Sequence, residues 1–124
     1  MGAAQTRVVA AGVLLVLVLL SGLWVSRAGK PYRTLPFTIH KLAGLATGIL
    51  LGIIVYQTHQ AAPLGVLEIA AIVATVFFFG STVAAGGLLS AKEHTPTIIL
   101  RLHQVLPVLS LLSAAATLYL LLQG

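Results

Sequence analysis

Residues 37–56 read FTIHKLAGLATGILLGIIVY. Across this stretch the only strongly polar side chains are one histidine, His40, and one cation, Lys41. A run of about 20 such residues is the length that crosses the hydrocarbon core of a bilayer as a helix. Lipid offers no partner to backbone N–H and C=O groups, so a segment of this kind closes its hydrogen bonds internally as an α-helix. Three further stretches have the same character, at residues 8–25, 65–90 and 97–122. The reading is therefore all-α: an integral membrane antiparallel four-helix bundle, one domain over residues 1–124, with the lipid bilayer as its first partner. Pro31, Pro36, Pro63 and Pro96 mark the connections. Thr95 followed by Pro96 is a helix start, a hydroxyl cap and then a proline whose missing N–H costs nothing there.

Composition points the same way. The chain is 59% hydrophobic and 7% charged. A water-soluble domain of similar length buries only about two-thirds of its surface and could not hide so much apolar area. A soluble enzyme is thereby excluded, and no nucleophile–base constellation is visible, so no catalytic residue is assigned. The absence of cysteine excludes disulfides, thiolate metal sites, iron–sulfur clusters and covalent haem attachment.

The net charge of +5 is no nucleic-acid signal, because the cations sit in the connections. Arg27, Lys30 and Arg33 lie in the first, with Lys41 just beyond it; Lys92 lies in the third, with Arg101 a turn further on. Residues 58–64 hold no Lys or Arg. The positive-inside rule then places the first and third connections in the cytoplasm and both termini outside. The expected location is the plasma membrane of a prokaryote. Ser26-Arg27-Ala28 has small residues at a cleavage-like spacing, but the first span is long for a signal peptide and its positive charge follows it. It is read as a span.

Ionisable groups within membrane spans are costly and mark function by default. His40 and His103 each open an apolar helix on the same side, and each is followed 16 residues later by a tyrosine, Tyr56 and Tyr119. Ile39-His40-Lys41 matches Leu102-His103-Gln104, so the chain reads as two hairpins related by duplication. Gly44, Gly48 and Gly52 follow His40 at four-residue spacing on or near its face. They leave a groove that suits either a porphyrin edge or a close-packed helix. Pro107, Ala114, Gly80, Ala84 and Gly87 thin the other helices similarly, and Phe77, Phe78 and Phe79 could wall a pocket. Two neutral imidazoles saturate a haem iron and give a centre that transfers electrons. Arg33, Lys41, Lys92 and Arg101 lie near the level where anionic propionates would sit, although membrane topology alone also accounts for them. His59 lies 19 residues after His40, about 28 Å along a helix. It cannot share a cofactor with His40 and is expected in the outer connection. His94 is a substitute ligand or part of a surface metal site. Glu68 suits the first turn of the third span, and Glu93 is a loop charge.

These residues, Phe37-Thr-Ile-His40-Lys-Leu with its glycine series, Ser81-Thr-Val-Ala-Ala-Gly86-Gly87, and Arg101-Leu-His103-Gln, resemble the four-helix core of the cytochrome b561-like group of small membrane b-type cytochromes. The resemblance covers about residues 36–122. It implies one haem b on His40 and His103, with Gly44, Gly48, Arg33, Lys41 and Arg101 around it, and a membrane redox partner or quinone. Two-haem members need four suitably placed histidines, and His59 has no partner on the outer side. The alternative is a non-catalytic subunit or packing scaffold of a larger respiratory or transport complex, joined to like or unlike chains through its glycine faces. A small multidrug-type transporter matches in length but carries a glutamate in its first helix, where this chain has none.

Overall fold

A computed structural model of the chain describes residues 2–92 and 94–123. Four helices make up nearly all of it: α1 (Ala3–Ala28), α2 (Thr34–Ala61), α3 (Val66–Ala91) and α4 (Thr97–Gln123). All four are long and apolar enough to cross a membrane. Their apolar residues run all round each helix, so most large ones face outward: Leu45, Val76, Phe77 and Leu112 are all exposed. A helix apolar on every side suits a low-dielectric surrounding.

Local chemistry sets the ends. α1 stops at Gly29, whose φ of 71° is a conformation that glycine adopts without a steric penalty. α2 ends before Ala62, which is extended, as a residue preceding a proline tends to be. Glu68 is in the first turn of α3, and its carboxylate folds back over the cap residue Gly65. α4 begins at Thr97, one residue later than the Thr95-Pro96 signal predicts, and the Pro96 carbonyl accepts the Ile99 N–H at 3.0 Å. α4 also stays helical through Pro107, although that proline has no N–H to give the carbonyl four residues back. The helices outrun the apolar spans, because polar residues such as Gln57 and Gln60 continue a helix until a proline or glycine stops it. One consequence is a correction: His59 is an exposed residue in the last turn of α2, not part of a connection.

The chain divides into two compact units, residues 1–63 and 64–124, where the sequence reading treats it as a single domain. Each is a helical hairpin, α1 against α2 and α3 against α4. The same spacing of 63 residues separates Ala3 from Val66, Ala28 from Ala91 and Thr34 from Thr97. The seams repeat too. His40, Thr47 and Ile54 recur at heptad spacing on α2, and His103, Ser110 and Thr117 do so on α4. Both histidines are half-buried, and the other four residues are buried. Sevenfold spacing keeps one face of a helix on its neighbour.

Candidate functional site

His40 projects from α2 onto α1. Its Nδ1 lies 3.1 Å from the Val18 carbonyl oxygen and 3.2 Å from Ser21 Oγ. A carbonyl only accepts, so the Nδ1 proton is donated to it. Ser21 Oγ itself donates to the same carbonyl at 3.1 Å, which leaves its lone pairs to face the imidazole. Gly22 makes room for the ring: a Cβ there would stand 2.9 Å from His40 Cε1.

The second hairpin repeats the device. His103 on α4 donates Nδ1–H to the Thr82 carbonyl on α3 at 2.8 Å. A Cβ at Gly86 would stand 2.6 Å from His103 Cε1. In both hairpins the glycine follows the accepting carbonyl by four residues, one helical turn, so carbonyl and gap share a face. The hairpins differ in one respect. Ser21, which precedes Gly22, adds a hydroxyl to the first, and Ala85 in the corresponding place adds none.

Fixing the proton on Nδ1 has a chemical consequence. In the neutral ring the lone pair then belongs to Nε2. Histidines that bind metals nearly always donate their other N–H to a carboxylate, carbonyl or water, which orients the ring and raises its basicity. Each imidazole taken by itself therefore has a tautomer and an orienting bond of the kind that a metal-ligating histidine uses. The same contacts also close each hairpin mechanically.

Around His103 the seam is polar. Thr82 Oγ1 lies 3.2 Å from Ser110 Oγ, and Thr75 Oγ1 lies 3.0 Å from Thr117 Oγ1. Thr82 donates its hydroxyl to the Phe78 carbonyl at 2.7 Å, which leaves Ser110 to donate across the seam. Thr75 and Thr117 stand 2.8 and 2.9 Å from carbonyls of their own helices; each hydroxyl has one proton, so the bond between them forms when one of the two donates to the other instead.

The other candidates fall as follows. Arg33 is the exposed cap residue of α2, and Lys41 is exposed on the same helix as His40. Arg101 is exposed on the helix of His103. Gly44 and Gly48 are half-exposed, and a Cβ on Gly44 would meet nothing within 4 Å. The room for His40 thus comes from Gly22, across the hairpin, a residue the sequence reading does not single out. His94 is exposed in the link before α4, and Glu93 lies outside the described residues. Among the described residues no three His, Asp or Glu side chains gather into a metal-holding group. Phe77 and Phe78 meet edge to face at 5.4 Å.

No family model matches the chain, and no curated protein or solved structure matches it either.

Proposed function

We propose that the chain is an integral membrane haem b protein that passes single electrons. In this reading it is an antiparallel four-helix bundle in a prokaryotic plasma membrane, its termini outside and its first and third connections cytoplasmic. His40 and His103 would hold one haem through their imidazoles, in the manner of the cytochrome b561-like group. The supporting observation is the matched Nδ1–H to carbonyl bond, 3.1 Å to Val18 and 2.8 Å to Thr82, which leaves Nε2 as the ligating nitrogen of each ring.

Haem would supply a reversible one-electron couple. The protein's part is to hold both rings in one tautomer and to keep water from them with apolar helices. Arg33, Lys41 and Arg101 would offset the propionate charge, and Gly44 and Gly48 would admit the porphyrin edge. A membrane redox partner or quinone would complete the electron path.

The test is a visible spectrum of detergent-purified protein, oxidised and reduced. Sharp reduced bands of a six-coordinate b-type haem are expected. His40→Ala or His103→Ala should abolish or convert them, and His59→Ala should leave them unchanged. A preparation that stays colourless after haem supplementation overturns the reading.

A second reading has its own observation. Each imidazole fills the space over a glycine of the facing helix, 2.9 Å from a Cβ position at Gly22 and 2.6 Å at Gly86. That is what a packing element needs in order to hold two helices in register. On this reading the chain is a non-catalytic subunit or scaffold of a larger membrane complex, and the colourless preparation is its expected result.

A further inference from the structure

The charges divide unevenly between the hairpins. Residues 1–63 hold Arg7, Arg27, Lys30, Arg33 and Lys41 and no Asp or Glu; both carboxylates, Glu68 and Glu93, fall in residues 64–124. Four of those cations lie between positions 27 and 41. Arg27 is in the last turn of α1, Arg33 caps α2, and Lys41 follows about two turns into it. All four are exposed. The first hairpin thus gathers positive charge at its turn.

Aromatic rings accompany these cations. Tyr32 stacks on Phe37 with ring centres 6.0 Å apart and planes 1° from parallel. The Lys30 ammonium sits 5.6 Å from the Tyr32 ring centre. Trp24, the only tryptophan, lies one turn before Arg27 and is 44% exposed. Aromatic residues of this kind settle at the headgroup level of a bilayer. Basic clusters at the same depth attract anionic lipids.

We propose that the turn joining α1 and α2 is a binding surface for anionic phospholipid headgroups. Phosphate oxygens accept hydrogen bonds from Arg27 and Lys30, with Arg33 and Lys41 adding to the positive potential of the turn, while Trp24 and Tyr32 lie against the glycerol and upper acyl chain. A lipid fits better than a soluble anion because the charged collar is continuous with bare apolar helix surface. Arg27 and Lys30 are not among the residues proposed above to face the haem propionates. The inference rests on the membrane reading above and is independent of haem.

Trp24 is a built-in reporter. The full chain is reconstituted in phosphatidylcholine bilayers that contain either acyl-brominated phosphatidylglycerol or acyl-brominated phosphatidylcholine, and Trp24 quenching is followed against mole fraction. The anionic lipid should quench with an apparent affinity at least about threefold higher, an advantage that salt and the Arg27→Gln/Lys30→Gln variant both reduce. Equal quenching by the two lipids overturns the proposal and leaves the membrane reading standing. No quenching by either overturns both. The wild-type comparison decides the matter even if the variant fails to insert.

Discussion

The Nδ1 of His103 stands 2.8 Å from the carbonyl oxygen of Thr82, and this bond ties α4 to α3 at one turn's distance from a glycine gap. His40 is tied to Val18 in the same way. Whatever else these imidazoles do, each holds a hairpin closed.

The gap is the vulnerable part of that device. A methyl group at Gly86 would meet His103 Cε1 at 2.6 Å, so the ring must swing and its bond to Thr82 must break. Gly86→Ala is expected to destabilise the protein by about 1–3 kcal/mol, the usual cost of overpacking. Gly22→Ala, where the corresponding contact is 2.9 Å, should cost less. Gly12 has open space beside it, and Gly12→Ala should gain up to about 1 kcal/mol from helix propensity. Reversible unfolding in mixed detergent measures all three. No loss in Gly86→Ala would contradict the described seating of His103.

Thr75 and Thr117 face each other at 3.0 Å, both buried. Each also stands within reach of a carbonyl of its own helix, 2.8 Å for Thr75 and 2.9 Å for Thr117, so a hydroxyl that loses its partner can turn its single proton to that carbonyl. A double-mutant cycle of Thr75→Val and Thr117→Val should give a coupling of about 0.6 kcal/mol, the average for hydrogen bonds between membrane helices. A coupling near zero would mean that the pair does not form.

Tyr32 lies outside the helices, and burial raises its phenol above the ordinary value. For such a group the neutral form is favoured in the folded state. Its stabilising contribution is complete below the unfolded pKa of about 10 and fades as pH rises through the higher folded value. The difference between the wild-type and Tyr32→Phe absorbance titrations should show a midpoint above the ordinary phenol value. Stability should fall over the same alkaline window, and Tyr32→Phe should lack that component. A midpoint at or below the ordinary value would show that Tyr32 is solvated.

The chain has no cysteine, so any introduced thiol is unique. In whole cells Ala62→Cys should react with an impermeant maleimide, whereas Ala28→Cys and Ala91→Cys should react only after permeabilisation. The reverse pattern would invert the proposed orientation, and equal reactivity at all three would argue against spanning.

The four helices are legible from apolar length alone, because lipid-compatible runs leave the backbone few alternatives. Their ends are less so: Gln57, His59 and Gln60 look like loop residues, yet α2 carries them until Pro63 intervenes. The importance of His40 and His103 is visible in their matched positions and trailing tyrosines. Their acceptors are not, because a backbone carbonyl such as that of Val18 has no side-chain signature. Gly22 and Gly86 could have been found by extending the internal comparison to the first helix of each hairpin, where they stand 18 and 17 residues before their histidines. Gly44 and Gly48 share a helix with His40, and a single helix does not reveal what faces it across a turn.

In both hairpins the accepting carbonyl precedes its histidine in the chain, Val18 before His40 and Thr82 before His103. A ribosome therefore delivers each acceptor before the donor that will use it. The first clasp can fasten as soon as α2 has emerged, while the second half is still being synthesised, so biogenesis can proceed as two consecutive insertions of a helix pair.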